Sequence, residues 1–116
     1  MVYDLEQRTK AFSKNVLVFL GSVHKTYLNQ NIILQLSRSA TSIGANYCEA
    51  NNAVSRNDFK NKIYICKKET QETKYWLELL ALSESGQKDK IKVLWNETNE
   101  LALIFNKIAS SLRKHV

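Results

Sequence analysis

Proline is absent from the sequence, and glycine occurs only at Gly21, Gly44 and Gly86. Strand-rich chains turn often, and turns lean on those two residue types, so their scarcity argues against such a fold and predicts a few long helices. No stretch approaches the roughly 20 consecutive apolar residues of a membrane span; the apolar run from Val16 to Leu20, which none exceeds, is far too short. The first residues, Met-Val-Tyr-Asp-Leu-Glu, are acidic and periodic, which is not the pattern of a signal peptide. No membrane association and a cytoplasmic location are expected. The two cysteines, Cys48 and Cys66, have neither metal-ligand nor redox spacing. On helices joined near Val54 they would stand roughly 9 Å out of level at about 1.5 Å per residue, too far for a disulfide. They read as small core or interface hydrophobes.

Histidine is equally scarce, and this bears on catalysis. A helical bundle can hold a di-metal site, but that needs Glu-x-x-His pairs facing inward. The chain offers Glu69-x-x-Glu72 and Glu97-x-x-Glu100, while His24 lies at a helix end and His115 is penultimate. No glycine-rich phosphate loop exists, and neither cysteine has a histidine near it in sequence. No metal, no cofactor and no enzymatic activity are expected.

What the chain does have is a length of 116 residues, 44% hydrophobic and 24% charged residues. That suits one folded domain with a modest core. Leu5, Phe12, Val16, Phe19 and Val23, widened by Leu20, form one apolar stripe and predict a first helix over residues 3–21. The segment 22–30 reads as a connection, with Asn29 and Asn31 as candidate N-caps. A second helix over 30–53 carries Leu36, Ala40, Ile43, Tyr47 and Ala50 on one side. A polar stripe of Gln35, Arg38, Ser42, Asn46 and Glu49 runs beside it, among many small residues. That seam suits a subunit interface or packing inside the bundle equally well. Gly44 in the helix interior costs about 1 kcal/mol relative to alanine, a cost that close backbone packing could offset.

Ser55, with Asp58 three residues on, opens the third helix as a variant capping box. Its stripe is Phe59, Ile63, Cys66, Thr70, Thr73, Leu77 and Leu80. It is expected to end near Ser85 and Gly86, with the glycine in the left-handed cap conformation. The fourth helix, over 88–114, carries Ile91, Leu94, Thr98, Leu101, Phe105, Ile108 and Leu112, a heptad seam with one polar break. Arg113, Lys114 and His115 sit where a helix C-terminus favours positive charge. Four such helices with short loops predict an all-α, antiparallel up-down-up-down four-helix bundle.

The net charge is +6, an excess that favours an anionic partner such as RNA or DNA. It is unevenly placed. Arg56, Lys60, Lys62, Lys67 and Lys68 face the single acid Asp58 in the first half of the third helix, whereas Glu69, Glu72, Glu78 and Glu84 face Lys74 in the second. Lys10 and Lys14 add charge on the first helix, and Lys88, Lys90 and Lys92 at the start of the fourth. The basic half suits phosphate contacts that read no sequence, and a salt-bridged surface equally. Arg38 is a candidate partner for Glu69 or Glu72.

The run Gln35-Leu-Ser-Arg38-Ser39-Ala40-Thr-Ser42-Ile43-Gly44-Ala45-Asn46-Tyr-Cys-Glu49-Ala50 resembles the signature of the four helix bundle protein family, first noticed in intervening sequences within large-subunit ribosomal RNA genes. The family pattern reads approximately Q-L-x-R-S-A-x-S-I-P-A-N-x-x-E-G. Ser55-Arg56, Asp58-Phe59-Lys60, Glu69-x-x-Glu72-Thr73, Trp76-Leu77-Glu78-Leu79-Leu80 and Asn99-Glu100-Leu101 extend the resemblance over nearly the whole chain. Gly44 stands where the pattern has proline, as in a subset of the family with Gly-Ala-Asn here, and Ala50 stands where it has glycine. The resemblance implies a four-helix bundle assembling into a homopentamer with a basic surface. Related accessory proteins of diversity-generating retroelements bind nucleic acid and a reverse transcriptase, so RNA, DNA or a protein is the implied partner. It supplies no catalytic residue. Arg38, Ser39, Ser42, Asn46, Glu49, Glu69 and Glu72 then read as polar groups of helix packing or a subunit interface.

Overall fold

The computed structural model describes residues 4–113. Four helices follow in order: α1 (Leu5–Gly21), α2 (Gln30–Asn51), α3 (Arg56–Ser83) and α4 (Lys88–Arg113). They form an antiparallel bundle in which α2 packs on α1 and α3, and α4 packs on α3 and α1. Helices α1 and α3 are diagonal to one another. At about 1.5 Å per residue the 28 residues of α3 nearly match the bundle's 46 Å long axis, whereas the 17 of α1 stop well short of it.

The termini obey local chemistry. Asp4 accepts the amide of Gln7 (3.1 Å) and Ser55 that of Asp58 (3.0 Å), each satisfying a donor the helix leaves open. Asn29 occupies the N-cap position of α2 but does not cap it, and Asn31 lies in the first turn rather than ahead of it. The buried Asn29 side chain instead accepts from the Thr26 amide (2.7 Å) and donates to the His24 carbonyl (3.0 Å) and Glu84 Oε2 (3.0 Å). It thereby ties the first connection to the end of α3. Gly86 does not take the left-handed conformation, since no glycine among the described residues has positive φ. Helix α3 stops at Ser83, and a 3-10 turn, Ser85–Gln87, leads directly into α4. The chain leaves α3 through Glu84 at φ -122°, ψ 62° and re-enters helical geometry at once, so no left-handed cap is needed. The expected positions of Tyr3, Lys114 and His115 lie outside the described residues.

The predicted stripes meet in one core. Phe12, Val16, Leu36, Ile43, Ile63, Leu77, Leu101 and Phe105 are all essentially sealed from solvent. Phe105 meets the ring of Tyr47 edge-on, with centroids 5.7 Å apart. Thr98, the break in the α4 seam, returns its hydroxyl to the Leu94 carbonyl at 2.7 Å, which makes a buried polar atom tolerable. Thr73 donates to Ser39 Oγ across the α2–α3 contact (2.9 Å). Cys66 is buried with its thiol directed at the Ile43 carbonyl (3.5 Å), whereas Cys48 is exposed; both are free. Burial pushes the Cys66 thiol pKa up to about 12, which suits a packing role and not a reactive one. No helix among the described residues is long and apolar enough to cross a membrane.

Candidate nucleic-acid interface

The polar stripe of α2 turns toward α3. Arg38 lies between two carboxylates, with Nη1 3.5 Å from Glu69 Oε2 and Nη2 bonded to Glu72, while its Nε donates to Gln35 (3.2 Å). Ser42 donates to the same Glu69 oxygen (3.2 Å), and Asn46 donates back to the Ser42 carbonyl and hydroxyl at 2.9 Å each. Glu69 is 5% exposed, and its other oxygen, Oε1, has no hydrogen-bond partner among the described residues. Burial works to raise the Glu72 carboxyl, but hydrogen bonds from Arg38 and Trp76 hold its pKa below the ordinary value. Lower on the same seam Glu49 takes Lys62 at 2.7 Å. Gln35, Arg38, Ser42 and Glu49 thus all find partners inside one chain, on α2 itself or on α3.

Most of the glutamates are held within the chain in the same way. Of the three in the second half of α3, Glu69 and Glu72 hold Arg38 and Glu78 accepts from the Trp95 indole (3.0 Å), and Glu84 at the helix's C-cap accepts from Asn29. On α4, Glu97 and Glu100 grip Arg8 of α1 at 2.6 and 3.0 Å. Glu6 accepts from Asn51 at 2.9 Å.

The cations of the first half of α3 are in the opposite situation. Lys62 is committed to Glu49, but Arg56, Lys60, Lys67 and Lys68 make no ion pair among the described residues. Lys60 instead places its ammonium 5.8 Å from the centre of the Tyr64 ring. Lys10 and Lys14 are exposed on α1, a helix that does not pack on α3, so the seven candidate phosphate contacts fall on two diagonal helices. Lys74, which the charge pattern grouped with the acids, donates to Asn99 (3.2 Å) and lies 5.3 Å from the Trp95 ring centre. No signal in the sequence of α3 alone points to that α4 partner.

The described residues contain no group of three or more His, Cys, Asp or Glu side chains placed to hold a metal ion. An open apolar groove runs between the α1 and α4 helices, lined by Asn15, Val18, Phe19, Val93 and Leu94.

Comparison with known proteins agrees with this architecture. A family model described as 23S rRNA-intervening sequence protein matches residues 3–107. Among solved structures, a protein of unknown function from the S23 ribosomal protein family of Bacteroides thetaiotaomicron VPI-5482 is 32% identical. The match covers 91% of this chain and 98% of that one, with a TM-score of 0.78. A search of curated proteins found no match.

Proposed function

The chain belongs to the 23S rRNA-intervening sequence protein family, and from that premise we propose that it is a non-enzymatic, basic scaffold that binds nucleic acid through the first half of α3. The observation that carries this reading is the asymmetry of pairing. The acids of α3's second half and of its C-cap are drawn into bonds within the chain, while Arg56, Lys60, Lys67 and Lys68 have no carboxylate partner among the described residues. Phosphates are the chemistry such a surface takes. Lys10 and Lys14 on α1 extend the positive field to another side of the bundle.

Reversing Lys60, Lys67 and Lys68 together to glutamate is expected to weaken binding of a labelled RNA or DNA oligonucleotide at least about 100-fold at about 50 mM salt. The helical circular dichroism should be retained, since none of the three holds the fold. Unchanged affinity, or no binding by the unaltered protein at that salt, would contradict the proposal.

The scaffold is proposed to work as a homo-oligomer, a pentamer by family resemblance. Leu17, Val18, Val93 and Leu103 of α1 and α4 are exposed, and Val18 and Val93 line the apolar groove. Light scattering should give a mass several times the 13.4 kDa of one chain, and a strict monomer would overturn this part. The same groove favours a second reading, in which the bundle is an accessory subunit for a partner protein. Co-purification of a polypeptide after nuclease treatment, with no affinity for oligonucleotides, is the result that reading expects.

A further inference from the structure

The outer face of α3 carries more than charge. Lys60, Tyr64, Lys67, Lys68, Gln71 and Tyr75 recur at steps of three, four or seven residues along one stripe. Tyr64 and Tyr75 are eleven residues apart, about three turns, so their side chains leave the helix within about 20° of each other and about 16 Å apart along it. Tyr75 is 54% exposed and rests edge-on against Trp76, with centroids 4.9 Å apart. Trp76 is anchored in turn by its indole, 3.5 Å from Glu72. Tyr64 is half-buried, and the Lys60 ammonium lies near its ring.

Lysines alone would bind any polyanion. Two rings interleaved with them, Tyr75 exposed and Tyr64 half-buried against the core, add a demand that a duplex cannot meet, because paired bases keep their faces inside the stack. An unpaired strand offers those faces, and stacking on an aromatic ring is tolerant of sequence. We infer that the ligand of this face is a single strand of RNA or DNA, with bases stacked on Tyr64 and Tyr75 and phosphates held by Lys60, Lys67 and Lys68. The gap between the rings corresponds to about five nucleotides at the stacked rise of about 3.4 Å, and to fewer if the strand is stretched. This inference rests on the phosphate-binding reading above and specifies the strand that it takes.

The test uses the full chain and three probes: oligo(U), oligo(dT) and a blunt RNA duplex of the same length. Both single strands are expected to bind at least about tenfold tighter than the duplex. The double variant Tyr64→Ala/Tyr75→Ala is expected to lose about 10- to 100-fold in single-strand affinity, with its salt dependence and its duplex affinity unchanged. Tyr64→Phe/Tyr75→Phe, which keeps the rings, should restore binding. Lys67→Ala/Lys68→Ala should instead weaken all three probes and flatten the salt dependence. Equal affinity for duplex and single strands, or an alanine pair that binds oligo(U) as the unaltered chain does, would overturn the single-strand inference and leave phosphate binding standing. Failure of all three probes to bind would remove both.

Discussion

Replacing Arg38 with alanine is expected to lower the stability of the bundle by about 3 kcal/mol, because it strips a buried carboxylate of its cation. Glu69 is 5% exposed, and one of its oxygens already has no hydrogen-bond partner among the described residues. Its other oxygen would keep only the Ser42 hydroxyl. The loss stays at the lower end for an orphaned buried charge, since Arg38 itself is 46% exposed and water can take part of its place. Arg38→Lys should fall between the two, because an ammonium supplies the charge without the fork that spans Glu69 and Glu72. Urea unfolding of the three proteins would measure this, and a loss below about 1 kcal/mol for Arg38→Ala would show the pair to be ornamental.

The same cluster sets a pH dependence. The folded-state pKa of Glu72 lies below its ordinary value of 4.5, so the unfolded chain takes up its proton first as acid is added. The stabilisation is therefore complete above that ordinary value and is lost as the pH falls through the lower, folded one. In Arg38→Ala this acid-side slope should shrink.

Gly44→Leu is expected to destabilise the bundle by about 3 kcal/mol through overpacking. A Cβ placed on Gly44 would lie 3.3 Å from the Thr9 carbonyl oxygen and 3.4 Å from Ser13 Oγ. The nearest atom is backbone, which cannot swing aside, so anything longer than a methyl group must push α1 away from α2. Gly44→Ala meets two opposed effects: a gain of about 1 kcal/mol in helix propensity and the tight approach to Thr9. It should stay within about 1 kcal/mol of the unaltered chain. If leucine proved as well tolerated as alanine, as on an isolated helix, α1 and α2 would not approach here as described.

These two positions also show what a sequence can convey. The spacing of Gln35, Arg38, Ser42 and Glu49 makes a polar seam visible, and opposite charge at the same level makes Arg38 with Glu69 or Glu72 predictable. Periodicity does not say whether such a seam faces a neighbouring helix or a second copy. Only packing shows that it meets α3. The Lys62–Glu49 pair escapes sequence reading for a related reason: the residues face each other across the turn after α2, and charge counted along one helix assigns Lys62 to the basic surface. Asn29 looks like a cap because caps are local, whereas its bond to Glu84 joins connections 55 residues apart. Gly86 resembles a left-handed stop because glycine usually serves as one, but a 3-10 corner makes that unnecessary. The aromatic and basic residues of α3 are each visible, yet the stripe they share emerges only once their outward direction is known.

Whether the unpaired lysines of α3 hold phosphates decides the function proposed for this bundle. The direct measurement is the slope of log affinity against log salt for oligo(U), compared between the unaltered chain, Lys67→Ala/Lys68→Ala on α3 and Lys88→Ala/Lys90→Ala at the far end of the bundle. Removing one phosphate-binding lysine should reduce the slope by about 0.7 on a single strand, so the α3 pair is expected to flatten it by about 1.4 and the α4 pair to leave it in place. A slope unmoved by the α3 substitutions, or reduced equally by both pairs, would contradict a site on α3.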